Sequence, residues 1–227
     1  MKKIIFTLLT AVAVTACGLF TQSGDQLELT DSSTPQEVLD FMMAGNRRFV
    51  EGHAEPQHRN LNYVRDLNSG QHPYAAVVAC SDSRVPVELL FDEGFGDIFV
   101  VRTAGNTILD HLSLGSVDYA LNHLEVKVIF FLGHTNCGAI TAVTQMGHEH
   151  HHINNDEEVG DMVEMIAKTL ESHRGTNCNV DAAVKENVLN QTKLYTERPF
   201  IKRMIEENRV IIVPAIYDLA SGEVQIL

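Results

Sequence analysis

Positive charge is scarce in this 227-residue chain: 17 Lys and Arg stand against 30 Asp and Glu, a formal net charge of −13. A surface that acidic repels phosphate backbones, which argues against a nucleic-acid partner. Long apolar runs are missing as well. The apolar run from Ile4 to Ala16 is shorter than the roughly 20 residues that span a bilayer, and a composition with 21% charged residues argues against a multi-span membrane protein. Gly (15) and Pro (6) are too few for a collagen-like or low-complexity chain. Cys is sparse at four and His numbers eleven, so the placement of these metal-capable side chains matters more than their count. What is present is 44% hydrophobic residues, enough for one compact core, at a length that fits a single domain after any leader.

The amino terminus reads as an address. Met1-Lys2-Lys3, the apolar run to Ala16 and a break at small residues form a secretory signal over residues 1–16. The break, Val14-Thr15-Ala16-Cys17-Gly18, resembles the lipobox of bacterial lipoproteins, in which the signal is cut before the Cys and the thiol is lipidated. The competing reading is a plain signal cut after Ala16. Both predict export to the periplasm, and the resemblance implies a lipid anchor at Cys17. No acidic residue follows Cys17 directly, which favours the outer membrane. Residues 17–33 are polar and suit a flexible tether, leaving 34–227 as the folded domain. Export leaves Cys80, Cys137 and Cys178, an odd number in a compartment that favours disulfides. Either one pair forms with a thiol left over, or two thiolates are held by a metal. Cys178 sits in a polar stretch without a motif and reads as a bystander.

Thr34-Pro35-Gln36-Glu37 fits a capping box, and Val38, Leu39, Met42, Met43, Phe49 and Val50 follow at helical spacing. Ala75–Ala79, Ile98–Val101, Val126–Leu132 and Val210–Val213 read as buried strands, and Val224–Leu227 as an edge strand after a turn at Ser221-Gly222. Helical patterns fall between them at Leu112–Leu124, Ala139–Met146, Val159–Leu170, Val184–Tyr195 and Phe200–Glu207. This alternation predicts an α/β fold: a mainly parallel central sheet of four strands plus an antiparallel edge strand, flanked by helices, with an extended amino-terminal helix. Such sheets bind ligands beyond the carboxyl ends of their strands.

Two of those ends carry chemistry. The first strand runs into Cys80-Ser81-Asp82-Ser83-Arg84 and the third into Gly133-His134-Thr135-Asn136-Cys137-Gly138. Two Cys and one His, with a carboxylate or water as fourth ligand, make a tetrahedral zinc set. His134 and Cys137 lie three apart in one tight loop, with Gly133 and Gly138 letting the backbone turn closely. Asp82 and Arg84 are two apart, so in an extended segment they share a face, and a guanidinium grips a carboxylate bidentately.

These two motifs resemble those of the β-class carbonic anhydrases. Gly45-Asn46-Arg47-Arg48-Phe49-Val50 resembles that family's amino-terminal helix, Phe99-Val100-Val101-Arg102-Thr103-Ala104-Gly105-Asn106 its second strand and turn, and Ile211 to Leu219 its closing strand. The likeness covers nearly the whole chain from Thr34. It implies a zinc enzyme that hydrates CO2 reversibly to bicarbonate and a proton. By position, the ligands are Cys80, His134 and Cys137, with water or Asp82 in the fourth place. Zinc-bound hydroxide attacks CO2 while the Asp82–Arg84 pair orients the nucleophile and gates the metal. Two thiolates make a bound water less acidic than imidazoles would, and Arg84 is the group placed to compensate. Gly105 lies in the turn near the metal, where its backbone helps to position substrate. The resemblance also implies a homodimer or dimer of dimers, with the amino-terminal helix crossing to the neighbour. One departure concerns bicarbonate: relatives carry a Gln for it in the stretch after the first helix, and here Glu93 or Gly94 stands near that place.

Two other functions fit the same residues: a related zinc hydrolase of CO2-like substrates such as carbon disulfide, and a non-catalytic zinc- or bicarbonate-binding lipoprotein. The best argument for the last is Gly147-His148-Glu149-His150-His151-His152, an auxiliary metal site or a solvated loop. Other histidines are scattered and read as surface or capping groups.

Overall fold

The run Ala75-Ala76-Val77-Val78-Ala79 has no polar face, so as a strand it needs protein on both sides. In the computed structural model, which describes residues 29–55, 57–145, 157–176 and 179–227, it forms β1 (Ala75–Cys80), buried at every position. β2 (Ile98–Thr103), β3 (Val128–His134), β4 (Ile211–Tyr217) and β5 (Val224–Ile226) complete one sheet in the order β2-β1-β3-β4-β5. The first four are parallel and β5 pairs antiparallel to β4, as expected from the sequence. The helices among the described residues are α1 (Pro35–Val50), α2 (Leu61–Asp66), α3 (Val87–Leu90), α4 (His111–His123), α5 (Gly138–Gln145), α6 (Glu157–Ala167), α7 (Val180–Thr196) and α8 (Pro199–Glu206). The short α2 and α3 carry too few residues for a periodic signal.

The sheet separates two apolar layers. Val38 and Met42 of α1 join Val77, Phe130 and Val213 on one face, while Val117, Leu121, Val188 and Ile201 of α4, α7 and α8 cover Val78, Ile129 and Phe131 on the other. The apolar stripe of α1 is therefore used on this chain's own core. Its start is the expected capping box: Thr34 accepts from the Glu37 amide and Glu37 accepts from the Thr34 amide. Gly45 and Asn46 dock the other end. A Cβ on Gly45 would lie 1.9 Å from the Phe91 carbonyl oxygen, so only glycine allows this approach. Buried Asn46 donates to the carbonyls of Leu90 (2.9 Å) and Gly222 (3.0 Å) and accepts from the Val224 amide (2.9 Å).

β4 runs four residues past the expected end at Val213, through Pro214. The Leu227 amide donates to the Pro214 carbonyl, so the N and O of Pro214 face the β5 side. β5 begins pairing only at Ala215↔Ile226, and the missing N–H removes no bond to β3. The signal segment, Cys17, most of the tether, the His148–His152 run and Cys178 lie outside the described residues. No described helix is long and apolar enough to cross a membrane.

Candidate metal centre

β1 and β3 are neighbours in register, so their carboxyl ends deliver Cys80 and His134 to one place, and the tight turn after β3 returns Cys137 to it. Asn136 makes that turn at φ +55°, a left-handed conformation that Asn tolerates. The ligand atoms of Cys80, His134 and Cys137 all lie within 4.8 Å of one another, and all three residues are buried. The two sulfurs are 3.9 Å apart.

The imidazole is set by its surroundings. His134 Nδ1 lies 3.0 Å from the Thr135 carbonyl, which can only accept, so Nδ1 carries the proton and Nε2 presents its lone pair inward. Nε2 is buried without a partner. A buried orphan acceptor costs free energy unless something occupies its front, and a cation between it and the sulfurs does so. The cysteines titrate as a pair. Donation from Cys137 pulls the Cys80 thiol below its usual range, and the neighbouring Cys80 sulfur pushes Cys137 up. Backbone N–H groups of Asp82 and Gly105 also favour the Cys80 thiolate, and those of Ala139 and Ile140, in the first turn of α5, favour that of Cys137. A divalent cation ionises both. Two thiolates and one neutral imidazole are a zinc donor set.

Asp82 and Arg84 stand beside this cluster. The guanidinium grips the carboxylate through Nε to Oδ1 (2.9 Å) and Nη2 to Oδ2 (2.7 Å), and the Arg84 amide adds a third bond to Oδ1 (2.9 Å). That grip holds the Asp82 carboxyl well below the usual range. Asp82 Oδ2 lies 3.8 Å from His134 Nε2, so the carboxylate borders the metal position while Arg84 holds it. Arg84 Nη2 also reaches the Asn136 carbonyl at 3.3 Å, tying the two loops together.

Arg102, which the sequence reading did not single out as functional, belongs to this site. From edge strand β2 its Nε donates to the Cys80 carbonyl (3.1 Å) and its Nη2 to the Asp82 carbonyl (2.5 Å), so one guanidinium fixes the loop that carries both Cys80 and Asp82. The available signal was a charged side chain, Arg102, near the carboxyl end of the otherwise uncharged strand β2. Gly105 adopts φ +63°, its amide lies by the Cys80 sulfur and its carbonyl accepts from Asn187 of α7 (2.7 Å). Gly133 does not serve the turn as expected. A Cβ there would meet Val188 Cγ2 at 2.5 Å and Val184 Cγ1 at 3.1 Å, so the glycine lets α7 lie against β3.

Glu93 is not a bicarbonate contact in this chain's own site. It precedes β2, with Asp97 bonded to the Tyr74 amide at the amino ends of β1 and β2. Six residue steps from Tyr74 to Cys80 along β1 separate that end from Cys80 by about 20 Å at roughly 3.3 Å per residue. Gly94 stands there too, its amide bonded to Asp97.

Residues 75–224 match the family model described as carbonic anhydrase. A carbonic anhydrase of Mycolicibacterium smegmatis is 34% identical over 199 residues, covering 86% of this chain and 94% of that protein. Carbonic anhydrase 2 of Mycobacterium tuberculosis is 41% identical over 111 residues, 49% of this chain and only 53% of that relative's length. Among solved structures, the β-carbonic anhydrase CafA of Aspergillus fumigatus superposes with a TM-score of 0.63 at 25% identity, over 84% of this chain and 90% of its own. The β-carbonic anhydrase CcaA gives 0.59 at 27% identity, over 83% and 94%. The three ligands, their sheet and these relatives together place the chain in the carbonic anhydrase family, with the fold of the β class.

Proposed function

We propose that this chain is a zinc-dependent carbonic anhydrase that interconverts CO2 with bicarbonate and a proton. The observation that carries the proposal is the convergence of Cys80, His134 and Cys137 at the strand ends, with the Asp82–Arg84 pair beside them. Zinc, when bound, supplies a strong nucleophile at neutral pH by lowering the pKa of water toward about 7. The chain supplies the rest. Cys80, Cys137 and His134 Nε2 hold the ion. Asp82, kept ionised by Arg84, would accept a hydrogen bond from the nucleophile and orient its lone pair toward CO2. Arg84 keeps that carboxylate off the ion, and Arg102 fixes the loop on which both Cys80 and Asp82 ride.

Stopped-flow CO2 hydration with and without chelator, alongside zinc content, tests this. Hydration that disappears with zinc and returns on reloading supports it; a zinc-loaded protein with no hydration favours the non-catalytic zinc-binding alternative. The gate has its own test. Arg84→Ala retains zinc and loses most turnover if the guanidinium holds Asp82 back, and unchanged turnover refutes the gate.

The reading extends to place and assembly. The Val14–Gly18 pattern supports export with a lipid anchor at Cys17, and Cys17→Ala then releases the protein from membranes. Edge strand β2, with Phe99 packed on half-exposed Tyr119 of α4, is the surface that suits a second copy of this chain, and sedimentation reads the resulting dimer.

A further inference from the structure

Three buried carboxylates gather at the amino ends of β1 and β2, at the opposite end of the sheet from Cys80 and His134: Asp92, Glu93 and Asp97. Each cation nearby is already committed. Arg48 of α1 binds Asp92 at 2.7 Å, where the Glu55 amide also donates to it. Arg59 places Nη2 on Asp92 (3.4 Å) and Nε on the Glu93 backbone carbonyl (2.9 Å), not on its carboxyl. His58 sits against both oxygens of Asp97 (2.8 and 3.0 Å), and the Gly94 amide bonds Asp97 as well. Glu93, 6% exposed, is left over: its Oε1 has no partner, and the nearby Tyr74 hydroxyl is buried and unpartnered too. Tyr74 in turn packs edge-on against Phe41 of α1 at 5.6 Å.

An ionised Glu93 would be a third negative charge in this pocket with no cation of its own, a state that burial makes costly. A protonated Glu93 is neutral and can donate to the Tyr74 oxygen. We propose that Glu93 is a proton-binding site that holds its proton at neutral pH, and that losing the proton loosens the docking of α1 on the β1–β2 connection. The groups facing it pull in both directions, with burial the largest. Burial and the charges of Asp97 and Asp92, on its own connection, oppose the anion; the Tyr74 hydroxyl, on the segment before β1, and the Arg48 charge of α1, itself engaged by Asp92, favour it. Burial dominates and pushes the Glu93 carboxyl up to about 8.

The sign follows from linkage. The folded protein holds this proton and the unfolded chain releases it in the ordinary carboxylate range. The stabilisation is therefore complete at low pH and is lost as pH rises through about 8. The hydration reaction proposed above also releases a proton, so the clamp responds to the variable the reaction changes; that link rests on the proposed activity, whereas the proton site does not.

The test uses the zinc-loaded full chain and Glu93→Gln, which keeps shape and removes the titration. Urea unfolding is followed from pH 5.5 to 9, with infrared difference spectra between the two proteins at neutral pH. The expected result is a folding equilibrium constant that falls, relative to the variant, by up to about tenfold per pH unit to near pH 8 and then levels off. The wild type then also shows a protonated-carboxyl band, absent from the variant, that titrates near the same pH and can be followed in the wild type alone. Parallel pH profiles, or a wild type without that band at neutral pH because a water bridges an ionised Glu93 to Tyr74, overturn the proposal. Neither readout involves turnover, so failure here is distinct from failure of the proposed activity.

Discussion

Asn46→Ala is the substitution whose cost can be worked most directly from the fold. Asn46 is buried and satisfies three backbone groups on two separate segments: the Leu90 carbonyl at the end of α3 in the β1–β2 connection, and the Gly222 carbonyl and Val224 amide at the β4–β5 turn. Alanine leaves all three buried groups without this partner. At about 1–3 kcal/mol for each unsatisfied group, and allowing the turn at Gly222 to recover some hydration, the expected loss is about 3–5 kcal/mol. That is a large part of the roughly 5–15 kcal/mol that a domain has to lose. Asn46→Asp tests the donors separately, because it keeps the acceptor for Val224 and loses both donors. Urea unfolding at fixed zinc and protein concentration measures both, and Asp, which sets a buried carboxylate oxygen against the Leu90 and Gly222 carbonyls, should cost at least as much as Ala. The metal ligands are on other segments, so folded Asn46→Ala retains zinc. A loss below about 1 kcal/mol would refute the view that this asparagine bolts α1 to the body.

Other expectations follow from the site. Arg102→Met removes the bonds to the Cys80 and Asp82 carbonyls, and kcat/KM should fall about tenfold to a hundredfold with zinc content unchanged. Arg102→Lys, a point charge that cannot reach both carbonyls in a fork, should recover only part of this; a loss of zinc instead of rate would show that Arg102 serves the ligand rather than the gate. Gly133→Ala forces a methyl against Val188 and Val184 and should cost about 1–3 kcal/mol of stability in a denaturant titration, with Val188→Ala restoring part of it.

The parts of the fold legible in the sequence are those decided locally. The all-apolar runs of β1 and β3 could only be buried strands, the Thr34–Glu37 box fixed the start of α1, and the ligands sat at strand ends where parallel sheets place their sites. What escaped depends on distant partners. Glu93 was assigned to the bicarbonate neighbourhood because nothing local reveals that Asp97 bonds the Tyr74 amide and turns the connection to the opposite end of the sheet. Asn187 and Gln191 break the apolar face of α7, yet both are buried: Asn187 holds the Gly105 carbonyl and Gln191 the Ile108 amide, partners more than 80 residues away. Gly133 read as a turn residue because its neighbour α7 is invisible at the strand. Pro214 similarly hid the length of β4.

The central claim is that one zinc ion is held by Cys80, Cys137 and His134 Nε2. X-ray absorption at the zinc edge of the purified protein tests it most directly. The account predicts one zinc per chain with two sulfurs at about 2.3 Å and one nitrogen at about 2.0–2.1 Å, completed by a single light atom. Zinc bound through nitrogen and oxygen alone, or a metal-free protein in which Cys80 and Cys137 are joined as a disulfide, would contradict it.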